Sequence, residues 1–417
     1  MFQFTATPAY TNKEILAAVQ AILGNEYKHL LPQEKGAKIL IKPNFNSNMN
    51  ALTGNTSDLR ILAAISRSLK DLGYSDITLG EGTNSGFYRS GINVISRLRI
   101  DQLTRYYGVK FLDLNQSKPH TVQFEDGITA DLASECVEAD LFINAPKLKT
   151  HFEVGMSVCQ KNLIGCMIGQ ANKKLVHKSL AANIININKA APPHLHIIDG
   201  VISMEGLGPS RGHPVGTNMI FAGTDSFLID MLMAKFVGFD PKKITTLVDG
   251  VRQGLITDEH IQYVENYHFE KTFNHDPPKA GFLATYIHSP KRQKYFLAVR
   301  NTPFFTWLAS TKWFGHLLYL TGLRQDNFID EDMVFEGLGY HTDKCQECGN
   351  CEAFCPVDLT LPLDLTNTTK MGEHCVQCLY CYSVCPHDAI EFKGNMGFFG
   401  DQQKLYGEAI RQMHRKE

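Results

Sequence analysis

The sequence has no surplus of charge of either sign. Its 41 Lys and Arg residues are matched by 43 Asp and Glu residues, so the formal net charge is −2. A protein that binds nucleic acid usually carries a basic patch or stripe, and this balance gives no sign of one. We therefore expect no nucleic-acid partner. With 43% hydrophobic and 20% charged residues, the composition excludes a largely disordered chain.

Several short signals are also missing. Residues 1–5 lack a basic segment followed by a long apolar one, so we see no secretory signal and expect a cytoplasmic protein. No Gly-Lys dipeptide occurs, which excludes a P-loop. The stretch Gly206-x-Gly208-x-x-x-Gly212 has one residue too many for a dinucleotide-binding fingerprint.

Cysteine is sparse outside one short region. Of the 11 Cys residues, only Cys136, Cys159 and Cys166 lie outside residues 345–385. A disulfide framework would spread its cysteines through a small secreted domain, whereas clustering in this chain indicates metal binding. We expect the three outlying thiols to be buried packing residues rather than redox-active groups.

The eight clustered cysteines repeat one spacing twice. Each run reads Cys-x2-Cys-x2-Cys-x3-Cys-Pro, the pattern of bacterial ferredoxins, in which the fourth cysteine of each run binds the other cluster. We therefore predict two [4Fe–4S] clusters, the first held by Cys345, Cys348, Cys351 and Cys385, and the second by Cys375, Cys378, Cys381 and Cys355. A pair of zinc sites is the alternative, but zinc prefers paired Cys-x2-Cys knuckles from two separated segments.

Strand and helix patterns alternate over roughly the first 255 residues. Short apolar runs such as Lys38–Ile41 predict buried strands, and capped stretches such as Asp58–Leu72 predict helices between them. This alternation predicts an α/β domain whose mainly parallel sheet is flanked by helices. We expect three parts: an α/β domain over 1–255, a linker with a docking helix over 256–335, and a small α+β ferredoxin-like module with a C-terminal helix over 336–417.

The segment before the cysteine runs contains an aromatic helix pattern. Thr302 and Pro303 predict an N-cap and a first helical residue, and the apolar side chains from Phe304 to Leu318 fall largely on one helical face. We expect this helix to dock the last domain onto the first, or to cover a site between them. Contact with a membrane surface is the weaker alternative, because basic residues are sparse on its polar side.

Polar and glycine residues follow five predicted strands at the point where each one ends. In an open α/β sheet, ligands bind outside the carboxyl ends of the strands, so these residues should share one edge. We predict a small anionic ligand there, because lysines and glycine-rich loops suit a carboxylate or a phosphate. The binding candidates are Lys42, Asn44, Lys147, Lys161, Asn162, Gly206, Gly208 and Arg211, and the catalytic candidates are Lys149, His151 and Asp199.

Each of these residues also has an ordinary structural interpretation. Asp199 and the glycine after it can form a simple turn, and Lys147 and Lys149 can be solvated. His151 can be an ordinary hydrogen-bonded histidine rather than a metal ligand. Taken together, however, polar residues at five consecutive strand ends favour a real pocket.

Several segments resemble the domain of unknown function 362 family. The resemblance covers about residues 35–245 and is carried by Ile41–Asn44, Asn144–His151, Gln160–Gly165, Ile198–Pro209, Ala222–Asp225 and Lys235–Asp240. Members of that family often carry a bacterial-type two-cluster ferredoxin module. Because the family's activity is largely uncharacterised, the resemblance implies an architecture and pocket residues but no reaction. The long segment 256–335 departs from the family pattern.

The sequence is compatible with two functions and, less well, with a third. In the first, an iron–sulfur oxidoreductase reduces the anion at the strand edge, with His151 or Asp199 handling protons. The residues that would hold the anion are Lys42, Lys149, Lys161 and Arg211. In the second, the protein is a non-catalytic electron carrier or scaffold that docks on a redox partner protein. The third keeps the clusters structural and gives the α/β domain a non-redox reaction.

Overall fold

The computed structural model describes residues 2–83, 92–124, 127–176, 179–278, 299, 302–320 and 331–414. Its strands are β1 (Phe4–Pro8), β2 (Ile39–Lys42), β3 (Ile77–Glu81), β4 (Lys110–Asp113), β5 (Pro119–Gln123), β6 (Thr129–Ala133), β7 (Leu141–Asn144), β8 (Lys147–His151), β9 (Gly155–Ser157), β10 (Leu195–Leu207), β11 (Arg211–Gly223), β12 (Val334–Tyr340) and β13 (Ile390–Asn395).

The α-helices are α1 (Asn12–Ala21), α2 (Leu59–Asp71), α3 (Val94–Arg97), α4 (Ile100–Tyr107), α5 (Ser134–Glu138), α6 (Cys159–Asn162), α7 (Gly169–Val176), α8 (Leu180–Ala190), α9 (Ser226–Phe236), α10 (Thr245–Arg252), α11 (Asp258–Asn266), α12 (Pro303–Ser310), α13 (Lys312–Leu320), α14 (Asn350–Ala353), α15 (Thr368–His374), α16 (Tyr380–Ser383) and α17 (Phe398–Met413). Short 3₁₀ or π turns cover Ile22–Glu26, Lys28–Leu30, Ala51–Thr53, Leu114–Gln116, Leu163–Cys166, Pro241–Lys243 and Leu363–Thr366.

A mainly parallel sheet forms the centre of the α/β part, as predicted. Its strand order is β1-β11-β10-β7-β2-β3-β4, and β8 and β9 join it beside β10. The neighbours from β10 to β4 run parallel, whereas β11 is antiparallel to both β10 and β1. The chain proceeds from β2 outward to β3 and β4, and later places β7 on the other side of β2. The strand order therefore reverses between β2 and β7, and open α/β sheets bind ligands at such a switch point.

Local capping explains where the first helices begin. The Thr11 hydroxyl accepts a hydrogen bond from the Glu14 backbone N–H, and the Glu14 carboxylate accepts one from the Thr11 N–H, so a capping box starts α1. The Asp58 carboxylate caps α2 by accepting from the Arg60 N–H at 2.9 Å. Both helix starts agree with the sequence patterns.

Two segments differ from the sequence-based expectation. The sequence alone predicts short strands over 194–198 and 218–222, with a glycine-rich loop between them. In the structure, β10 and β11 continue for 13 residues each and form one long hairpin. The backbone ladder of this hairpin overrides the weak strand preference of its polar and glycine residues. The sequence also predicts one helix over 93–107, but this segment is broken into α3 and α4, because Arg99 adopts a left-handed backbone with φ +63°.

The cysteine-rich end of the chain forms a small α+β module, in agreement with the predicted class. Strands β12 and β13 pair antiparallel, and α14 and α16 each contain the third cysteine of one run. The sequence predicts a C-terminal helix over Gln402–Met413, and the structure shows that this helix, α17, already begins at Phe398.

The aromatic segment before the module is a pair of short helices. The Thr302 hydroxyl accepts from the Phe305 N–H at 3.2 Å, so the predicted N-cap of α12 is confirmed, and α13 follows after Thr311. Much of the predicted 256–335 linker lies outside the described residues. Within the described chain, no helix is both long and apolar enough to cross a membrane.

One hydrophobic core runs from the α/β sheet into the cysteine module. It joins buried side chains of β2 and α2, such as Ile41 and Ile61, to Phe354 and Val384 of the module. The fully buried Arg60 lies within this core: its guanidinium is 2.7 Å from Asp58 Oδ2 and 3.9 Å from the ring centroid of Phe354. An aromatic ring of the module therefore covers a buried charge of the α/β domain.

Replacing Arg60 by Met should lower the free energy of unfolding by about 3–5 kcal/mol, because Asp58 would stay buried without its counter-charge. The matched control is Arg67→Met on the same helix, where the side chain is 41% exposed and pairs with Asp358 at 3.2 Å. Such an exposed pair contributes about 1 kcal/mol or less. Anaerobic urea unfolding measures both variants, and equal losses would contradict the role given to Arg60.

Candidate functional site

Three side chains lie in register across the switch point of the sheet. Lys42 at the end of β2 is opposite Asn144 of β7, which is opposite His196 of β10. The Asn144 side-chain amide donates to the Cys159 carbonyl at 2.9 Å and lies 3.0 Å from His196 Nδ1. Burial lowers the pKa of His196 to about 4, so its ring is neutral near pH 7. The centre of the edge is therefore polar and dry.

Lys42 has its counter-charge within the protein. Its ammonium lies 2.9 Å from Glu81 Oε1 and donates to the Pro43 carbonyl at 2.9 Å, and both charged side chains are buried. Glu81 also accepts from the Phe45 N–H at 2.9 Å. Sequence reasoning missed Glu81, although it ends β3 at the same edge and a buried lysine requires such a partner. The pair fixes the loop after β2.

Lys149 projects from β8 into a cage of oxygen atoms. Its ammonium donates to Asn44 Oδ1 at 2.8 Å, to Asn46 Oδ1 at 2.6 Å and to the Asn55 carbonyl at 2.7 Å. Asn44 in turn donates to Asn162 Oδ1 at 2.8 Å. The structure thus brings together the predicted residues Lys149, Asn44 and Asn162, and it adds Asn46 and Asn55, which the sequence patterns did not single out.

The tip of the β10–β11 hairpin closes over this cage. The Asn55 side chain donates to the Pro209 carbonyl at 2.9 Å, and Asn46 Nδ2 lies 3.4 Å from the Ser210 hydroxyl. The half-buried Arg211 follows directly and begins β11. The predicted Arg211 is therefore at the tip that contacts the Lys149 cage.

The two predicted glycines let the hairpin tip come this close. A Cβ atom at Gly208 would overlap the carbonyl oxygen of Thr150, and Gly206 adopts φ +73°, a conformation that favours glycine. The Gly208 carbonyl accepts from the Phe152 N–H at 3.1 Å. Both glycines therefore shape the site through the backbone.

Lys147 and Asp199 form a second buried pair, with 2.9 Å between Nζ and Oδ2. The Asp58 N–H donates to the same oxygen at 2.7 Å, so the helix α2 cap is joined to the pair. Burial raises the pKa of Asp199. Burial opposes ionisation of Asp58 too, but the Arg60 guanidinium outweighs it and lowers that pKa. Two neighbouring carboxyl groups thus differ in proton affinity, as acid and base groups do in catalytic sites.

His151 and Lys161 each interact with Glu153, the first through the Glu153 backbone and the second through its charge. His151 is buried in β8, and its Nδ1 accepts from the Glu153 N–H at 3.2 Å. Burial lowers the pKa of Lys161 to about 8, with Glu153 opposing the change. A lysine with this pKa can exchange a proton near neutral pH.

The sequence patterns did not single out two buried titratable groups, Lys173 and Asp230. Burial lowers the pKa of Lys173 to about 8, and its ammonium donates to the Gly82 carbonyl and to Asn115 Oδ1, each at 2.7 Å. Burial raises the pKa of Asp230 to about 7, although its carboxylate accepts from the Cys159 N–H at 2.9 Å. The three outlying cysteines are buried, as expected: Cys136, Cys159 and Cys166.

The two cysteine runs fold with the same backbone conformation. In the first run, Glu347 and Gly349 flank the second cysteine with φ +50° and +77°. In the second run, Gln377 and Leu379 occupy the equivalent positions with φ +56° and +59°. A positive φ is unfavourable for residues such as Leu. Its repetition at matching positions therefore indicates that the two loops share one backbone conformation.

The first three cysteines of run one share a cavity with the last cysteine of run two. The cavity is lined by Cys345, Cys348, Cys351 and Cys385. The Cys385 sulfur accepts from the Ala389 N–H at 3.3 Å. Burial raises the pKa of Cys351 to about 12, and the Cys385 thiol acts in the same direction. Among the described residues, no three His, Cys, Asp or Glu side chains are placed to hold one metal ion. The four thiols instead surround an open cavity.

The last cysteine of run one lies beside run two. Burial raises the pKa of Cys355 to about 12, with Cys375 acting in the same direction, and burial also raises the pKa values of Cys378 and Cys381. The Cys375 sulfur accepts from the Gln377 N–H at 3.3 Å. Soft thiols grouped in this way, with N–H bonds to sulfur, fit iron–sulfur clusters, whose iron would displace the thiol protons.

Comparison with known proteins matches both parts of the chain. Residues 39–235 match the model of a domain of unknown function (DUF362), and residues 338–395 match a 4Fe-4S dicluster domain. The dicluster match indicates iron–sulfur electron transfer.

Two individual proteins are similar over part of the chain. A thylakoid-associated protein of Synechocystis sp. is 34% identical over 131 residues, which are 30% of this chain and 40% of that protein. The structure of the lactate racemase apoprotein from Thermoanaerobacterium thermosaccharolyticum has a TM-score of 0.33 and 12% identity, over 52% of this chain and 53% of that one.

The family models and the geometry agree on both parts of the molecule. The DUF362 match includes the ends of β2, β7 and β8, where the buried lysine network lies. The dicluster match includes all eight cysteines of the two runs. The chain therefore contains a DUF362 domain over residues 39–235 and a C-terminal 4Fe-4S dicluster domain over residues 338–395.

Proposed function

We propose that the protein is an iron–sulfur oxidoreductase that reduces a small anionic molecule bound at the strand edge of its α/β domain. The observation that carries this proposal is the buried polar chain between the two parts. It runs from Lys147 through Asp199 and Asp58 to Arg60, whose guanidinium lies against the ring of Phe354. Phe354 directly precedes the cluster-ligand candidate Cys355, so the strand edge and the module are connected without intervening solvent.

The proposed cofactors are two [4Fe–4S] clusters with crossed ligation. Cys345, Cys348 and Cys351 would hold one together with Cys385, and the second run would hold the other together with Cys355. When bound, the clusters supply electrons singly at potentials that burial and hydrogen bonds to sulfur set. The N–H donors at Gln377 and Ala389 are two such bonds.

The proposed anion site is the Lys149 cage with the hairpin tip. Lys149 is fixed by its three oxygen partners, and Arg211 and the half-buried Asn46 lie where the cage approaches the surface. All three N–H groups of Lys149 are donated to oxygen atoms of the chain, so this lysine would contribute its positive charge, and Arg211 would be the hydrogen-bond donor toward a carboxylate or phosphate. Asp199, whose pKa burial raises, and His151 would supply or accept the proton that accompanies reduction.

The second candidate function is a non-catalytic electron carrier that docks on a redox partner protein. The observation that favours it is the exposure of Phe304, Trp307 and Trp313 on α12 and α13, at 69%, 63% and 66%. Exposed aromatic side chains are typical of protein interfaces. We favour a protein partner over a membrane surface because residues 302–320 contain a single lysine and no arginine. A cytoplasmic location goes with either candidate.

Lys149→Gln should weaken the saturable reoxidation of the reduced protein by a small anion. The holo-protein is reduced anaerobically, mixed with a panel of small carboxylates and phosphate esters, and followed by the visible absorbance of its clusters. We expect one class to reoxidise it saturably, with a half-saturating concentration at least about tenfold higher in the variant. The control is Lys189→Gln, which removes an exposed lysine of α8. A rate that rises linearly with every oxidant, and equally in both variants, would favour the carrier.

Paired cysteine variants test the crossed ligation. Cys345→Ala combined with Cys385→Ala removes two ligands of one cluster in the crossed arrangement, so about four iron atoms should remain per chain. Cys345→Ala combined with Cys355→Ala removes one ligand from each cluster, so almost no iron should remain. Iron and acid-labile sulfide analysis of anaerobic preparations measures this. The reverse result, iron retained only in the second pair, would show that each run binds its own cluster.

A further inference from the structure

A cavity lies on the boundary between the α/β domain and the cysteine module. Its polar lining comes from the loop after β2, from the turn between α3 and α4, and from the module, and it includes Asn50, Ser57, Arg97, Arg99, Cys378 and Gln402. None of the described residues that line it is acidic. The cavity is separate from the Lys149 cage, since no residue of β8 or of the hairpin tip lines it.

Three buried donor atoms in this lining have no acceptor. Asn50 Nδ2, Arg99 Nε and Gln402 Nε2 make no hydrogen bond within the described part of the chain. The Asn50 and Gln402 residues are only 8% and 2% exposed. Folded proteins seldom leave buried polar groups without a partner. Three unsatisfied N–H donors around one cavity therefore indicate that an acceptor is bound there.

The orientation of both amides is fixed by the backbone. Asn50 Oδ1 accepts from the Leu52 N–H at 3.0 Å, and Gln402 Oε1 accepts from the Asn50 N–H at 3.0 Å. Turning either amide over would exchange a satisfied oxygen for a nitrogen facing a backbone N–H. The NH₂ groups of both amides are therefore the groups available to a ligand in the cavity.

The charge of the lining favours an anion. Arg97 is paired with Asp332 at 2.7 Å, whereas the Nε donor of Arg99 makes no hydrogen bond within the described residues. Arg99 is also held in a left-handed conformation, φ +63°, at the break between α3 and α4. A water molecule accepts at most two hydrogen bonds, whereas the oxygens of a carboxylate or phosphate together accept three or more.

We propose that this cavity binds a small oxyanion, of carboxylate or phosphate type, beside the cluster-ligand candidate Cys378. The Asn50 and Gln402 amides and the Arg99 guanidinium donate to its oxygens. The site joins the α/β domain to the module through a shared ligand, because Asn50 comes from one and Gln402 from the other. Because Cys378 lines the cavity and would hold the second cluster, a bound anion would change the surroundings of that cluster. The inference goes beyond the proposed reduction at the Lys149 cage and does not depend on it.

Isosteric amide-to-acid variants test this site. Asn50→Asp and Gln402→Glu keep the oxygen that the backbone uses, replace the donor by an acceptor, and add a charge that repels an anion. Sodium formate and sodium phosphate are titrated into anaerobic holo-protein by calorimetry, with chloride at equal ionic strength as reference. We expect saturable binding of at least one of the two anions to the unaltered protein. Each variant should weaken it at least about tenfold.

The matched control is Gln403→Glu, the same change one residue along α17, where the side chain donates to the Ser383 hydroxyl and does not line the cavity. It should change the affinity by less than about twofold. Arg99→Lys, which keeps the charge but removes Nε, gives a second test should an acid variant fold poorly, and it should also weaken binding.

A second readout ties the anion to the cluster. The electron paramagnetic resonance spectrum of the reduced protein should change with the anion, with half of the change at the calorimetric half-saturation. Lys149→Gln should leave this titration unchanged, which separates the cavity from the proposed substrate site. Binding that is no stronger than that of chloride, or that is equal in Gln402→Glu and the unaltered protein, would overturn the proposal.

Discussion

The buried guanidinium of Arg60 connects the two parts of the molecule. It is held between the Asp58 carboxylate and the face of the Phe354 ring, and it also donates to the Tyr10 carbonyl at 2.6 Å. A buried charge is tolerated only when it is paired and fully hydrogen-bonded. Because one of its contacts belongs to the cysteine module, the α/β domain completes the burial of its own ion pair only when the module is in place.

The same constraint organises the strand edge. Asp58 donates its N–H to Asp199, and Asp199 pairs with Lys147, so the charge that faces the module and the charge at the sheet edge belong to one network. Lys42 and Glu81 form a separate buried pair on the neighbouring strands. Each pair is fixed before any ligand arrives, which is the property that makes electrostatic stabilisation effective in a dry site. The position of the network at the switch point between β2 and β7 follows from the strand order.

The sequence was sufficient for features that local spacing determines. The cysteine spacing predicted the cluster module, the period of the apolar residues predicted the α/β class, and the capping residues predicted the starts of α1, α2 and α12. The predicted residues Lys149, Asn44 and Asn162 do meet, because parallel strands bring their carboxyl ends to one edge.

Features that depend on distant partners could not be predicted in this way. The β10–β11 hairpin is stabilised by pairing across the sheet, and its polar sequence gives no alternating pattern. Glu81, Arg60 and the Asn50–Gln402 bond each depend on a residue from another element, in the last case more than three hundred positions along the chain. Such contacts leave no local signal in a single sequence.

Because the burial of Arg60 depends on both parts, the α/β domain and the cluster module should unfold as one cooperative unit. An anaerobic guanidinium titration of the holo-protein, followed simultaneously by the visible absorbance of the clusters and by far-ultraviolet circular dichroism, measures this. We expect both signals to change at one denaturant concentration. Loss of the cluster absorbance at a clearly lower concentration, while the circular dichroism of the sheet and helices persists, would contradict it.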